Sequence, residues 1–168
     1  MRIGLALIIA AALAATAAPA SARHPEHGHE ESQNALGLPA ELEEPARVVD
    51  GFHDALARGD TEGALAFLAE DALIYESGGV ERDRAEYAAH HLGADAAFAQ
   101  GVPSQVTRRA GAVRGDTAWL ASEGRVTGTF NDRALDRITT ETIVLERDGG
   151  SWRIAHIHWS SAAAPSGS

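Results

Sequence analysis

Four long runs with strand character follow one another in the second half of the chain, at 105–114, 117–130, 135–146 and 152–160. They are separated by short turn signals, Gly115 and Asp116, then Asn131, Asp132 and Arg133, then Asp148, Gly149 and Gly150. A parallel crossover needs a dozen residues or more, so linkers this short make consecutive runs antiparallel neighbours. Upstream the pattern is mostly helical. Helices first and an antiparallel meander afterwards define an α+β chain and exclude a repeating βαβ array. There is no internal repeat and no phosphate-binding glycine loop.

The helical half has its own punctuation. A first helix is expected over 45–58, with Pro45 in its first turn and Val48, Val49, Phe52, Ala55 and Leu56 as its apolar stripe. Gly59 stops it, and Asp60 or Thr61 caps a second helix over 62–69. A short strand at 72–76 ends at Ser77, Gly78 and Gly79, which leaves Glu76 at a strand mouth. A third helix over 82–99 carries Tyr87, His90, His91 and Asp95, with Gly93 as its expected break point. Tyr87 and His91 fall one turn apart, as do His91 and Asp95, a carboxylate able to fix the imidazole's tautomer. His53 sits beside the stripe of the first helix, as a surface or core-edge residue.

Charge and composition narrow the function. The chain of 168 residues has 24 acidic residues against 14 basic ones, all arginine, for a net charge of −10. An acidic domain without a basic stripe is a poor partner for nucleic acid or an anionic membrane. Residues 1–22 have the form of an export signal: Arg2, an apolar run, then Ala20-Ser21-Ala22 as a small-x-small cleavage site. The expected location is therefore periplasmic or secreted, with no integral span after processing. With no cysteine, the exported domain must rely on packing alone. Residues 23–44 read as a flexible arm in which His24, His27 and His29 form a histidine-rich tract, a composition able to hold transition metals. Residues 161–168 read as a disordered tail.

The closing strand concentrates the candidate chemistry. Strict alternation puts Trp152, Ile154, His156, His158 and Ser160 on one face and Arg153, Ala155, Ile157 and Trp159 on the other. Three readings follow. In the first, Tyr75, Glu76, Tyr87, His90, Trp152, His156 and His158 line a pocket for a small organic ligand. Acid–base catalysis is a subset of that reading, with His156, Asp95 and His91 as the acting groups. In the second, Glu76, His90, His156 and His158 hold a divalent transition metal, zinc or copper. In the third, the histidines are structural, bonded to backbone or to a buried carboxylate such as Glu141, and the domain is a non-catalytic dimerising accessory module.

Ala57-Arg58-Gly59-Asp60 between the first two helices, the order of elements, and Gly150-Ser151-Trp152-Arg153-Ile154 followed by His156 and His158 resemble the NTF2-like superfamily. Within it they are most similar to SnoaL-like and DUF4440-type domains, and the last strand also resembles that of the kinase association domain. The resemblance covers residues 45–160. It implies a cone, in which a bent antiparallel sheet wraps around the helices and leaves a pocket at one end. Its members include ketosteroid isomerase, limonene epoxide hydrolase, scytalone dehydratase, polyketide cyclases and non-catalytic modules, so lyase or isomerase chemistry is one implication and mere binding another. It also implies a homodimer formed through the sheet, for which Val144, Ile157 and Trp159 are the expected outward residues.

Overall fold

The computed structural model describes residues 37–165. The expected export signal, and the arm as far as residue 36 with its three histidines, lie outside the described residues. The arm's last residues belong to the fold: a 3-10 turn at Ala40–Leu42 buries Leu42 completely. Helix α1 follows at once, Glu43–Ala57. Val49, Phe52, Ala55 and Leu56 of the expected stripe are buried. Each large side chain so buried contributes about 1.5–3 kcal/mol of transfer free energy.

Gly59 ends α1 at φ +72°, a backbone conformation that costs glycine no Cβ clash. Asp60 caps the short helix α2, Thr61–Leu65, by accepting the Gly63 N–H at 2.8 Å. The expected helix over 62–69 stops early because the chain has already joined the sheet. The Phe67 carbonyl accepts the Ile154 N–H at 2.9 Å. Strand β1, Leu68–Glu76, starts there and turns back into β2, Gly79–Glu81.

The expected single helix over 82–99 is two helices, α3 at Arg84–His90 and α4 at Leu92–Gly101. Asp83 caps α3 through the Glu86 N–H at 2.7 Å, and Glu86 accepts the Arg82 N–H in return at 2.6 Å. The break falls at His91 and not at Gly93, which lies inside α4. Four long strands complete the chain: β3 at Ser104–Arg114, β4 at Thr117–Phe130, β5 at Arg133–Asp148 and β6 at Ser151–Ala163. The last strand runs three residues into the stretch expected to be a tail, with Ser161, Ala162 and Ala163 paired to Thr139, Ile138 and Arg137.

The sheet order is β2-β1-β6-β5-β4-β3. The meander is antiparallel throughout, and among the described strands only the neighbours β1 and β6 run parallel. Helix α1 lies on the concave face, its Phe52 stacked on Trp159 at 6.3 Å between ring centroids. Leu120, Ile143, Leu145, Ile154 and Ile157 meet the helices there and form the core with Tyr87, Leu92 and Ala96.

One irregularity decides which side chains enter that core. Leu145 pairs with Ile154, but Val144 pairs with His156, so Ala155 stands unopposed as a β-bulge. The side-chain alternation changes parity at that residue. Trp152 and Ile154 are buried before the bulge, and Ile157 is buried after it with Trp159 half-buried beside the core. The strict alternation expected for β6 is therefore wrong beyond Ala155. His156 and His158 share no face with Trp152 and Ile154, and Ile157 and Trp159 do not point outward. Val144 remains as the outward member of the expected dimer set, opposite His156.

Candidate functional site

The register places one residue from each of five strands in a row across the concave face. Arg109 of β3 stands opposite Ser122 of β4, Ser122 opposite Glu141 of β5, Glu141 opposite Trp159 of β6, and Trp159 opposite Glu76 of β1. The neighbouring row is apolar. Leu120, Ile143, Ile157 and Ile74 follow one another, all buried, and the row ends on Glu81 of β2. The polar row therefore marks where the packed core stops and the open end of the cone begins.

At the β1–β2 end of these rows lies a cavity of about 160 Å³. Ile74 and Trp159 form its apolar side, and Glu76, Glu81, Tyr87, His91 and Asp95 its polar side. The break at His91 assembles it. In an unbroken helix, residues eight apart are separated by roughly 12 Å along the axis, beyond the reach of a tyrosine and an aspartate. With α4 redirected at His91, the Tyr87 hydroxyl donates to Asp95 Oδ2 at 2.8 Å. Burial and the adjacent Asp95 carboxylate push the Tyr87 hydroxyl far above its ordinary pKa, so it stays a proton donor at every relevant pH. Burial raises Asp95, although the Tyr87 hydrogen bond opposes the rise. Burial, and then the negative charge of Asp95, raise Glu76.

Glu81 has the opposite balance. Its side chain is only 5% exposed, and it faces two imidazoles, His90 Nδ1 at 3.2 Å and His91 Nδ1 in a shorter contact. Burial pulls its carboxyl up, but the bonds to His91 and His90 outweigh that and leave it below its ordinary value. The Glu81 bond in turn raises His91. The charged form of each partner in this pair is thus favoured by the other, while burial works against the charged forms of Glu76 and Asp95.

A second cluster lies along the same row. Glu141 accepts from His53 Nε2 and from the Trp159 indole N–H, each at 2.7 Å. Burial lowers His53, but the Glu141 charge and hydrogen bond outweigh it and raise the imidazole. Glu141 is held down by the same partner against its own burial. Arg109 is buried and donates to Asp50 at 2.7 Å and to Ser122 at 3.1 Å. The indole of Trp159 is therefore fixed from one side by this cluster while it walls the cavity on the other.

The sequence-predicted residues divide between two faces. Glu76, Tyr87, His91 and Asp95 line the cavity, and His90 reaches it through Glu81. The bulge carries His156 and His158 to the convex face. There His156 Nδ1 meets the Leu73 carbonyl at 2.7 Å, and the ring of Tyr75 stands edge-on to both histidines at 5.3 and 6.3 Å. Trp152 is a core residue at the other end of β6, with the Arg147 guanidinium 4.6 Å from its ring centroid. Glu76, His90, His156 and His158 thus do not converge on one metal ion. Among the described residues Glu81, Glu86 and His90 bring ligating atoms within 4.8 Å of one another. Both carboxylates there are already engaged, Glu81 by the imidazoles and Glu86 by Arg82.

Sequence reasoning missed Glu81, the most buried acid of the site. The signal was present: after the turn at Ser77 and Gly78, alternation sets Val80 outward and Glu81 inward. Asp50 and Arg109 were also missed, because a carboxylate on a helix and an arginine on a strand carry no spacing that links them.

A bent sheet with helices inside it, open at one end over a cavity of carboxylates, imidazole and tyrosine, is the architecture of an NTF2-like domain. The chain belongs to the SnoaL-like domain family, whose model matches residues 46–165. It is similar to a candidate ketosteroid isomerase of Shewanella frigidimarina, with 35% identity over 73% of this chain and 99% of that one and a TM-score of 0.70. A candidate calcium/calmodulin dependent protein kinase II association domain of Xanthomonas campestris shares the fold at 24% identity, over 76% of this chain and 90% of that one, with a TM-score of 0.61. So does a candidate dehydratase of Streptomyces avermitilis, at 19% identity, over 74% and 97%, with a TM-score of 0.61. No curated protein matches the chain.

Proposed function

We propose that the chain binds a small organic molecule in the cavity at the open end of the cone and moves a proton on it, in lyase- or isomerase-type chemistry. The observation that carries this reading is the grouping of Glu76, Tyr87 and Asp95 around one cavity. Glu76 and Asp95 are both raised by burial, and the Tyr87 hydroxyl is 2.8 Å from Asp95. A carboxylate whose pKa is moved toward the working pH is a better general base, and a fixed O–H donor stabilises charge that develops on a substrate oxygen. In this scheme Glu76 takes a proton from one substrate carbon and returns it to another atom of the substrate or to its leaving group, and Tyr87 turns its hydroxyl from Asp95 to the substrate oxygen. The likeness to the Shewanella protein favours isomerase-type chemistry, and the cavity volume favours a substrate more compact than a steroid. A volume of about 160 Å³ falls below the roughly 300–1,000 Å³ of pockets that enclose drug-sized ligands.

The test is deuterium wash-in from solvent, followed by NMR on a panel of compact carbonyl compounds. Exchange with the unaltered protein, and its loss in Glu76→Gln and Tyr87→Phe, is the expected result. No exchange and no shift of the Tyr87 and Asp95 resonances with any compound would sink the reading.

The convex face supports a homodimer. Trp119 is 41% exposed and Ile138 47% exposed, and Tyr75 joins them on the same surface. Sedimentation of the full chain and of Trp119→Arg checks this, a monomer being expected only for the variant. We also assign residues 1–22 to export. A periplasmic or secreted product beginning at Arg23 is the expected observation, and cytoplasmic protein that still starts at Met1 the contrary one.

A further inference from the structure

We propose that the occupant of this cavity is a small organic cation, an ammonium carrying apolar substituents. The inference rests on the reading of the cavity as the ligand site and adds the class of ligand.

The lining decides the sign of the charge. Three carboxylates, Glu76, Glu81 and Asp95, face the space, and His91 is the one cationic side chain among its lining residues. His91 is committed to Glu81. The nearest arginine along the polar row, Arg109, stands at the far end and is bound to Asp50 and Ser122. Among the described residues an anionic ligand would meet carboxylates, and the one cation lining the cavity is already paired. Among the described residues the Glu76 carboxylate accepts no hydrogen bond, so it is available to a donor that arrives with the ligand.

The walls decide the kind of cation. Ile74 and the indole of Trp159 form one side, and the indole is backed by Phe52. A metal ion needs oxygen or nitrogen ligands around its whole sphere, and an aliphatic and aromatic wall offers it none. An ammonium with methyl or methylene groups suits both sides at once. Its charge faces the carboxylates, and its carbon faces an aromatic ring whose quadrupole attracts cations. The volume sets the size. About 160 Å³ is close to that of an engineered apolar cavity of ~150 Å³ that holds benzene.

Burial works against the charged forms of Glu76 and Asp95, and a cation beside them would favour the ionised form of both.

Three probes of nearly the same shape test the proposal on the full chain: choline, its neutral carbon isostere 3,3-dimethylbutan-1-ol, and the anion 3,3-dimethylbutanoate. Binding is followed by calorimetry and by the NMR resonances of Tyr87 and Trp159. Choline is expected to bind at least tenfold more tightly than the isostere, with the anion undetected. Glu76→Gln should reduce choline affinity about tenfold, the value of one lost charge contact of about 1.4 kcal/mol. An isostere that binds as well as choline overturns the cation and leaves the small-molecule reading in place. Preferred binding of the anion, or no binding of choline and tetramethylammonium, overturns the proposal as well. The proton-transfer reading then stands or falls separately, on deuterium wash-in with uncharged carbonyl compounds. Because the probes are compared on the unaltered protein, the result does not depend on how the variant folds.

Discussion

Glu141 and Trp159, direct partners across the β5–β6 ladder, are tied a second time by their side chains, the indole N–H donating to the carboxylate at 2.7 Å. The same carboxylate holds His53 of α1 at 2.7 Å. One buried acid therefore joins the helix to the sheet and sets the wall of the cavity. Glu141→Ala leaves an imidazole and an indole N–H without their acceptor. The expected cost is about 2–4 kcal/mol in urea unfolding. A change under about 0.5 kcal/mol, the range of ordinary surface substitutions, would show that the pair is incidental.

The pH dependence of that pair has a definite sign. His53 is raised in the folded state, so its contribution is complete below the unfolded pKa of about 6.5 and is lost as pH rises through the folded value. Glu141 is lowered, so its contribution is present above its unfolded value and lost as pH falls through the folded one. The stability difference between the unaltered protein and His53→Ala should therefore be greatest in mildly acidic solution and shrink above neutrality. Because the His53 side chain is 39% exposed, water screens part of the effect. Unfolding curves of both proteins across this range are the measurement, and a difference that grows with pH contradicts the assignment.

Glu76 carries the opposite expectation. An acid raised by burial and by a neighbouring carboxylate destabilises the fold when it ionises. Glu76→Gln should therefore raise the stability at neutral pH by about a few tenths of a kcal/mol after screening, seen as a higher melting temperature, while it removes the proposed proton transfer. Differential scanning calorimetry decides the point. A lower melting temperature would mean that the Glu76 carboxylate is favourable where it stands.

The bulge at Ala155 separates two neighbours that a simple strand would treat alike. Ile157 is fully buried, and Ile157→Ala should cost about 2–5 kcal/mol. His158, on the convex face, is exposed, and His158→Ala should change stability by less than about 0.5 kcal/mol. It should also leave the Tyr87 and Trp159 resonances in place. A large loss from His158→Ala would mean that the convex face is covered in solution.

Much of the fold was legible because its signals are local. The turns at Gly115, Asn131 and Gly149 define the meander, and Gly59 with Asp60 separates α1 from α2. The site was legible only in part. Tyr87, His91 and Asp95 stood out by helical spacing, yet the contact that matters joins Tyr87 to Asp95 through a break at His91, where no glycine or proline announces it. His156 and His158 were misplaced because alternation assumes that no residue is inserted, and a bulge at alanine leaves no mark in composition. Glu81 and the Arg109–Asp50 pair depend on contacts across the sheet or to a helix, which no window of sequence contains.

The polar row also bears on how such a domain can change its preferences. Each of five strands contributes a single side chain to it, and the buried apolar row beside it is separate in sequence by two positions on every strand. The chemistry of the rim is thus spelled with one letter per strand over a foundation that need not be disturbed. Glu76 can diverge by isolated replacement, whereas Arg109, Ser122, Glu141 and Trp159 are bound to one another or to Asp50, His53 and Phe52 and must change together with those partners.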